Sequence, residues 1–257
     1  MKVLFVGPTL YKLVRDRTLD GCPEIERRSP AGQGDIARAV LDGATVIGLV
    51  DGRYEDVAAP WHKEILYAIQ EGVTVLGAGS LGALRAAECA AFGMIGIGRT
   101  FQRYASGELV DDSDVAQLHG PDEIGSLPLT EAFVNVEATI DRAVATGELP
   151  IDEANRLKGF ARGIFFKELC FETLATRYVQ NSAGATELRL CLERNRVDAK
   201  RRDALELVQA MAALPARRRA QAPQWRLAMP AIWVAFISNL TPRGERISTQ
   251  GVRVVTT

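Results

Sequence analysis

Three short apolar runs stand out in the first third of the chain: Lys2 to Val6, Thr45 to Val50 and Val73 to Leu76. None alternates apolar with polar positions, the pattern of strands buried on both faces of a parallel sheet. Helical patterns lie between them. Asp35 is placed as an N-cap before Ile36-Ala37-Arg38-Ala39-Val40-Leu41, where Ile36, Ala39 and Val40 share a face. Pro60 opens a second run, Trp61 to about Glu71, closed by Gly72. A third, alanine-rich run extends from Ser80 to about Phe92. Strand and helix in alternation predict an α/β fold, with a small parallel sheet flanked by helices in a Rossmann-like N-terminal part.

Two stretches read as irregular. Residues 11–30 are mixed and charged, broken by Pro23 and Pro30, and suggest a loop with one short helix. Gly93, Gly96 and Gly98 mark a hairpin-like or irregular passage with no clear strand. From about Leu129 to Leu214 the apolar positions follow a 3.6-residue period, punctuated by Gly147, Pro150, Gly184 and Pro215, so the C-terminal part is expected to be mainly helical. The expected organisation is an α/β core over residues 1–125 that carries the site, a helical region over 126–215 and a partly irregular extension over 216–257. Arg217-Arg218-Arg219 in that extension reads as a solvated face.

Composition narrows the picture only a little. The 257 residues are 47% hydrophobic and 25% charged with a net charge of -1, which argues against non-specific nucleic-acid binding. No run approaches the roughly 18 apolar residues of a membrane span. The apolar N-terminal run is broken early by Gly7-Pro8 and lacks the apolar region of a signal peptide, so a cytoplasmic protein is expected, with no membrane partner. Cys22, Cys89, Cys170 and Cys191 are far apart and form no Cys-x-x-Cys pair, so they read as free thiols and no metal site is expected.

The chemistry concentrates at strand ends. In parallel sheets with helices on both faces, sites gather at the carboxyl ends of the strands, where the loops Gly7 to Leu10, Asp51 to Arg53 and Gly77 to Gly82 converge. The last of these, Gly77-Ala78-Gly79-Ser80-Leu81-Gly82, joins a strand directly to a helix. It spells G-x-G-x-x-G, a dinucleotide fingerprint, yet the acidic residue expected about 20 positions on is missing from Gly96-Ile97-Gly98-Arg99-Thr100. It also resembles a nucleophile elbow, with Ala78 where the first glycine of G-x-S-x-G would stand. A serine there needs a base. His119, after Asp111, Asp112 and Asp114, and His62 are candidates, and Lys63, set between Trp61, Ile65 and Leu66, is a third if desolvation lowers its pKa.

Taken together, Gly7-Pro8-Thr9-Leu10, Ile47-Gly48-Leu49-Val50-Asp51-Gly52, His62-Lys63-Glu64-Ile65-Leu66, the run Gly77 to Glu88, Phe92-Gly93-Met94 and Asp111-Asp112 resemble the TfuA-like family over residues 1 to 120. That resemblance implies a partner of a YcaO enzyme in the modification of ribosomally made peptides. It implies hydrolysis of the C-terminal thiocarboxylate of a ThiS-type sulfur carrier, releasing sulfide for thioamidation of a precursor peptide. It further implies a Ser-Lys pair, carried over to Ser80 and Lys63, and no cofactor. Gly79 and Leu81 flank the serine where the family often has alanine and methionine.

Around that pair, the start of the Ser80 helix supplies N–H groups for an oxyanion, with a second donor from the Gly7 and Thr9 loop. Asp51 is placed to orient Lys63 or to contact substrate, and Arg85 and Glu88 to position the site, bind the carrier's tail or pair with each other. A non-catalytic scaffold that docks the YcaO enzyme, with Ser80 binding an anion, is the alternative.

Overall fold

The structure, a computed structural model, describes residues 1–14, 22, 24–53, 57–121, 127–221, 223–240, 245–247 and 253–255. Five strands, β1 (Lys2–Phe5), β2 (Ile25–Arg28), β3 (Val46–Leu49), β4 (Thr74–Ala78) and β5 (Ile95–Ile97), form one sheet in the order β2-β1-β3-β4-β5. Every pairing in it is parallel, and Lys2 to Phe5 of β1 run in register with Val46 to Leu49 of β3. The three strands read from apolar runs are the three central ones, buried along their whole length. The α/β class stands.

The two edge strands correct the sequence reading. β2 is Ile-Glu-Arg-Arg and only Ile25 is fully buried. Charge suits an edge, where it discourages pairing with another chain, but it removes the apolar run by which a strand is recognised. β5 has three residues centred on Gly96, too short to show a period. Of residues 11–30, read as a loop with one short helix, 15–21 and 23 lie outside the described residues; the 3-10 turn Pro8–Val14 begins ahead of the stretch, which also holds β2.

Successive strand residues face opposite sides, and each side has its own helical cover. Val3, Phe5, Ile47, Leu49 and Val75 pack with α1 (Asp35–Leu41), α2 (His62–Gln70) and part of α3 (Leu81–Cys89). After α4 (Gly98–Ala105), the helices α5 (Phe133–Ala145), α6 (Ile151–Arg162), α7 (Phe171–Tyr178) and α8 (Ser182–Arg194) surround a core of their own that includes Ile140, Leu157, Leu174 and Leu192. α9 (Ala199–Ala213) returns to the sheet. Its Ala204, Leu207, Val208 and Met211 cover Leu4, Val46, Val50 and Leu76 on the second face.

Last comes α10 (Ala231–Leu240), whose Trp233 and Ile237 are buried against the α1 and α2 layer. A short antiparallel pair, β6 (Glu245–Ile247) and β7 (Arg253–Val255), follows it. In the arginine run before α10, Arg217 and Arg219 are exposed, as a solvated face requires, and Arg218 is half-buried. Arg218 donates to the carbonyls of Val40 and Ala44 at the end of α1, and Arg219 to that of Val73 just past α2. Cationic donors at helix C-termini satisfy orphan carbonyls and oppose the negative end of the helix dipole.

Glu64 couples the starts of α1 and α2. Its buried carboxylate accepts from the N–H groups of Gly34, Ala37 and Trp61, at 2.9, 3.2 and 3.1 Å. Asp35, read as the cap of α1, is instead its first residue, with Gly34 at the cap position. Burial pushes the Glu64 carboxyl above its ordinary value while the three N–H groups pull it down.

Close backbone contact fixes how α3 leaves the sheet. A Cβ on Gly82 would stand 1.8 Å from the Leu49 carbonyl oxygen, and one on Gly77 would stand 2.1 Å from that of Gly82. The glycines of the G-x-G-x-x-G run thus serve helix-on-strand packing. Gly82→Ala is expected to destabilise the protein by ~3 kcal/mol, the upper range for overpacking. A fall in the urea midpoint with an unchanged m-value would check it.

Candidate functional site

The strand order reverses direction between β1 and β3, the place where such sheets open a crevice at their carboxyl ends. Asp51 follows β3 there and is 1% exposed. Its Oδ2 accepts from the N–H groups of Gly7 and Thr9, at 2.9 and 3.0 Å, and its Oδ1 from the Thr9 hydroxyl at 2.6 Å. Asp51 therefore braces the loop that leaves β1. The Gly7 and Thr9 amides are committed to that carboxylate, which corrects their reading as oxyanion donors.

Ser80 stands one strand further over, at the cap position of α3, and is buried. Gly79 before it has φ +70°, in the left-handed region, and a Cβ there would meet the Lys200 carbonyl oxygen at 2.8 Å. This approach brings the first turn of α9 against the serine turn. The Ser80 hydroxyl donates to the Val115 carbonyl at 3.4 Å, and Lys200 Nζ donates to the same oxygen at 2.9 Å. The amine also reaches Gln117 Oε1 at 3.3 Å. Asn135 Oδ1 accepts from the Lys200 amide and so holds the lysine's backbone.

Lys200 is 1% exposed, and desolvation drives its pKa below the ordinary lysine value, opposed by the negative charges of Asp51 and Asp198. The buried hydroxyl and the buried amine thus share one acceptor, with no hydrogen bond directly between them among the described residues. The N–H of Leu81, first in α3, has no acceptor within its own helix and lies at the positive end of the helix dipole. Beside this turn a cleft of about 520 Å³ is lined by Leu81, Leu84, Arg85, Glu88, Val110 and Asp111, among others.

The lysine read from the sequence stands elsewhere. Lys63 is half-buried on α2, with Nζ 5.7 Å from the centroid of the Trp233 ring. Its packing against α10 occupies it on the opposite side of the sheet from α9. His62 and Arg85 both meet Glu88 Oε2, at 2.8 and 2.6 Å, an ion cluster that ties α2 to α3 along the cleft. His119 is bonded to the carbonyl of Gly120. The dinucleotide reading also loses its ground, because the Val115 carbonyl and Lys200 occupy the approach to the first turn of α3.

Lys200 went unread because Asp198 to Asp203 looks like the charged, solvated start of a helix. The signal is present in the period. Lys200 shares a stripe with Ala204, Leu207, Val208 and Met211, the apolar face of α9.

Among the described residues no helix is long and apolar enough to cross a membrane, and no cluster of three or more His, Cys, Asp or Glu suits a metal ion. Residues 51–169 match a family model described as TfuA-like protein. No curated protein matches the chain.

Linkage gives a test of the buried amine. Between the lowered pKa of folded Lys200 and the value of about 10.4 in the unfolded chain, the unfolded state holds the extra proton, so this group's contribution to stability rises with pH. The stability of the wild type relative to Lys200→Met is expected to increase from pH 7 to pH 10. Urea unfolding of the two proteins across that range checks the sign.

Proposed function

We propose, from the match of residues 51–169 to the TfuA-like family model, that the chain is a hydrolase with Ser80 as nucleophile and Lys200 as base. Its substrate is the C-terminal thiocarboxylate of a ThiS-type sulfur carrier, and its product is sulfide for a YcaO enzyme that thioamidates a ribosomally made peptide. One observation supports this above the others: the Ser80 hydroxyl and the Lys200 amine meet at a single carbonyl oxygen in a buried setting.

Neutral Lys200 accepts the Ser80 proton as Oγ bonds to the thiocarboxylate carbon. The tetrahedral oxyanion is met by the Leu81 N–H and the dipole of α3. The C–S bond then breaks, the electron pair leaves with sulfur, and the proton held by Lys200 passes to the departing sulfide. Water attacks the acyl-serine, losing a proton to Lys200; the C–Oγ bond then breaks, and Lys200 returns that proton to Ser80 Oγ, restoring the hydroxyl and the neutral amine. The carrier leaves as a carboxylate, so one thiocarboxylate and one water become one carboxylate and one hydrogen sulfide.

Asp51 keeps a fixed negative charge near the amine, so the lysine pKa is balanced between burial and that carboxylate. The cleft at Leu81 and Arg85 has the size of small-ligand sites, and Leu81, next to the serine in the chain, lines it.

Sulfide release from a thiocarboxylated carrier tests the assignment. Ser80→Ala and Lys200→Met are each expected to lower the rate by about 10²-fold or more, the scale of a lost nucleophile or base. Lys63→Ala is expected to leave it near wild type. Release that survives Ser80→Ala would transfer the function to a docking scaffold, and loss in Lys63→Ala with normal folding would return the base to Lys63.

A further inference from the structure

We infer that Gln117 is a positioning residue that presents the Lys200 amine to Ser80, acting together with the Val115 carbonyl. The inference rests on the Ser80–Lys200 reading above. A neutral amine has two N–H donors and one lone pair, whereas an ammonium has three donors and none. Lys200 Nζ has two acceptors, the Val115 oxygen at 2.9 Å and Gln117 Oε1 at 3.3 Å. Among the described residues these two acceptors match in number the two donors of the neutral form. The Ser80 hydroxyl is bonded to the same Val115 oxygen, so hydroxyl and amine share one acceptor.

Gln117 is itself fixed. Its Nε2 donates to the Thr130 carbonyl at 2.7 Å, which turns Oε1 toward the amine, and Thr130 in turn is held by the N–H of Leu118 on its hydroxyl at 2.9 Å. A neutral acceptor orients the amine without adding charge that would favour the ammonium.

The charges that act on Lys200 are Asp51 and Asp198. Asp51, after β3, is held by Gly7 and Thr9. Asp198 caps α9 through the Arg201 N–H and accepts from Asn135. Asp203, one turn further along α9, accepts from the Thr100 N–H on Oδ2, while its Oδ1 is buried with no hydrogen bond among the described residues. Among the described residues Gln117 is the side chain that accepts from Nζ, and it does so without a charge.

The test replaces Gln117 in the full-length protein. Gln117→Glu is expected to move the acid limb of the kcat profile to higher pH by about one unit or more, as an opposite charge within hydrogen-bond reach does. Activity would return on the alkaline side. Gln117→Leu is expected to lower kcat by about tenfold or more through misplacement of the amine, with KM little changed and no upward shift of the limb.

A direct titration of the Lys200 Cε resonance in ¹³C-lysine-labelled protein keeps the two readings apart. If its midpoint fails to rise in Gln117→Glu, the Gln117 inference is overturned whatever the activity. Turnover that survives Lys200→Met overturns the base assignment and with it the role of Gln117 in presenting that base.

Discussion

A lysine without water must find every partner inside the protein, and the site is built around that constraint. Lys200 is carried by a helix whose other inward residues are Ala204, Leu207, Val208 and Met211, so the hydrophobic packing that seats α9 on the sheet also drives the amine into the interior. Its partners then come from distant parts of the chain: a carbonyl from Val115, an amide oxygen from Gln117 and a carboxylate field from Asp51. Burial disfavours the charged form, and neutral acceptors rather than a contacting carboxylate receive its N–H groups. Burial lowers the amine's pKa from its ordinary value, and the charges of Asp51 and Asp198 oppose that shift.

The serine side rests on backbone contact. Gly77 and Gly82 let α3 start against β3 and β4, and Gly79 lets the first turn of α9 close on the serine turn. Any side chain at these points would push the helix outward and separate hydroxyl from amine. The same glycine spacing in a dinucleotide-binding turn leaves room for a pyrophosphate, whereas here the protein's own carbonyl and lysine fill that place.

Much of this was legible in the sequence, for identifiable reasons. The central strands are continuous apolar runs because both faces are covered, and the strand-to-helix turn at Ser80 is marked by its glycines. β2 and β5 were obscured because edge strands tolerate charge and brevity. Lys63 lies close to the serine motif along the chain, while proximity in space is set by which face of the sheet a helix covers. α2 and α9 cover opposite faces, and Lys63 ends against Trp233. The stripe containing Lys200 was readable as a helix face, but a lysine on such a stripe is ordinarily taken for a boundary residue that reaches water along its aliphatic stem.

The late position of α9 in the chain has a bearing on how the protein is made. Ser80 and its turn leave the ribosome well before Lys200, and Trp233, which completes the cover over α1 and α2, follows later still. A nascent chain therefore carries the serine turn before the helix that packs against it and a sheet with one face bare. Cover over that face and burial of the serine turn arrive together late in synthesis, so a chain that stops early leaves apolar strand surface open to aggregation.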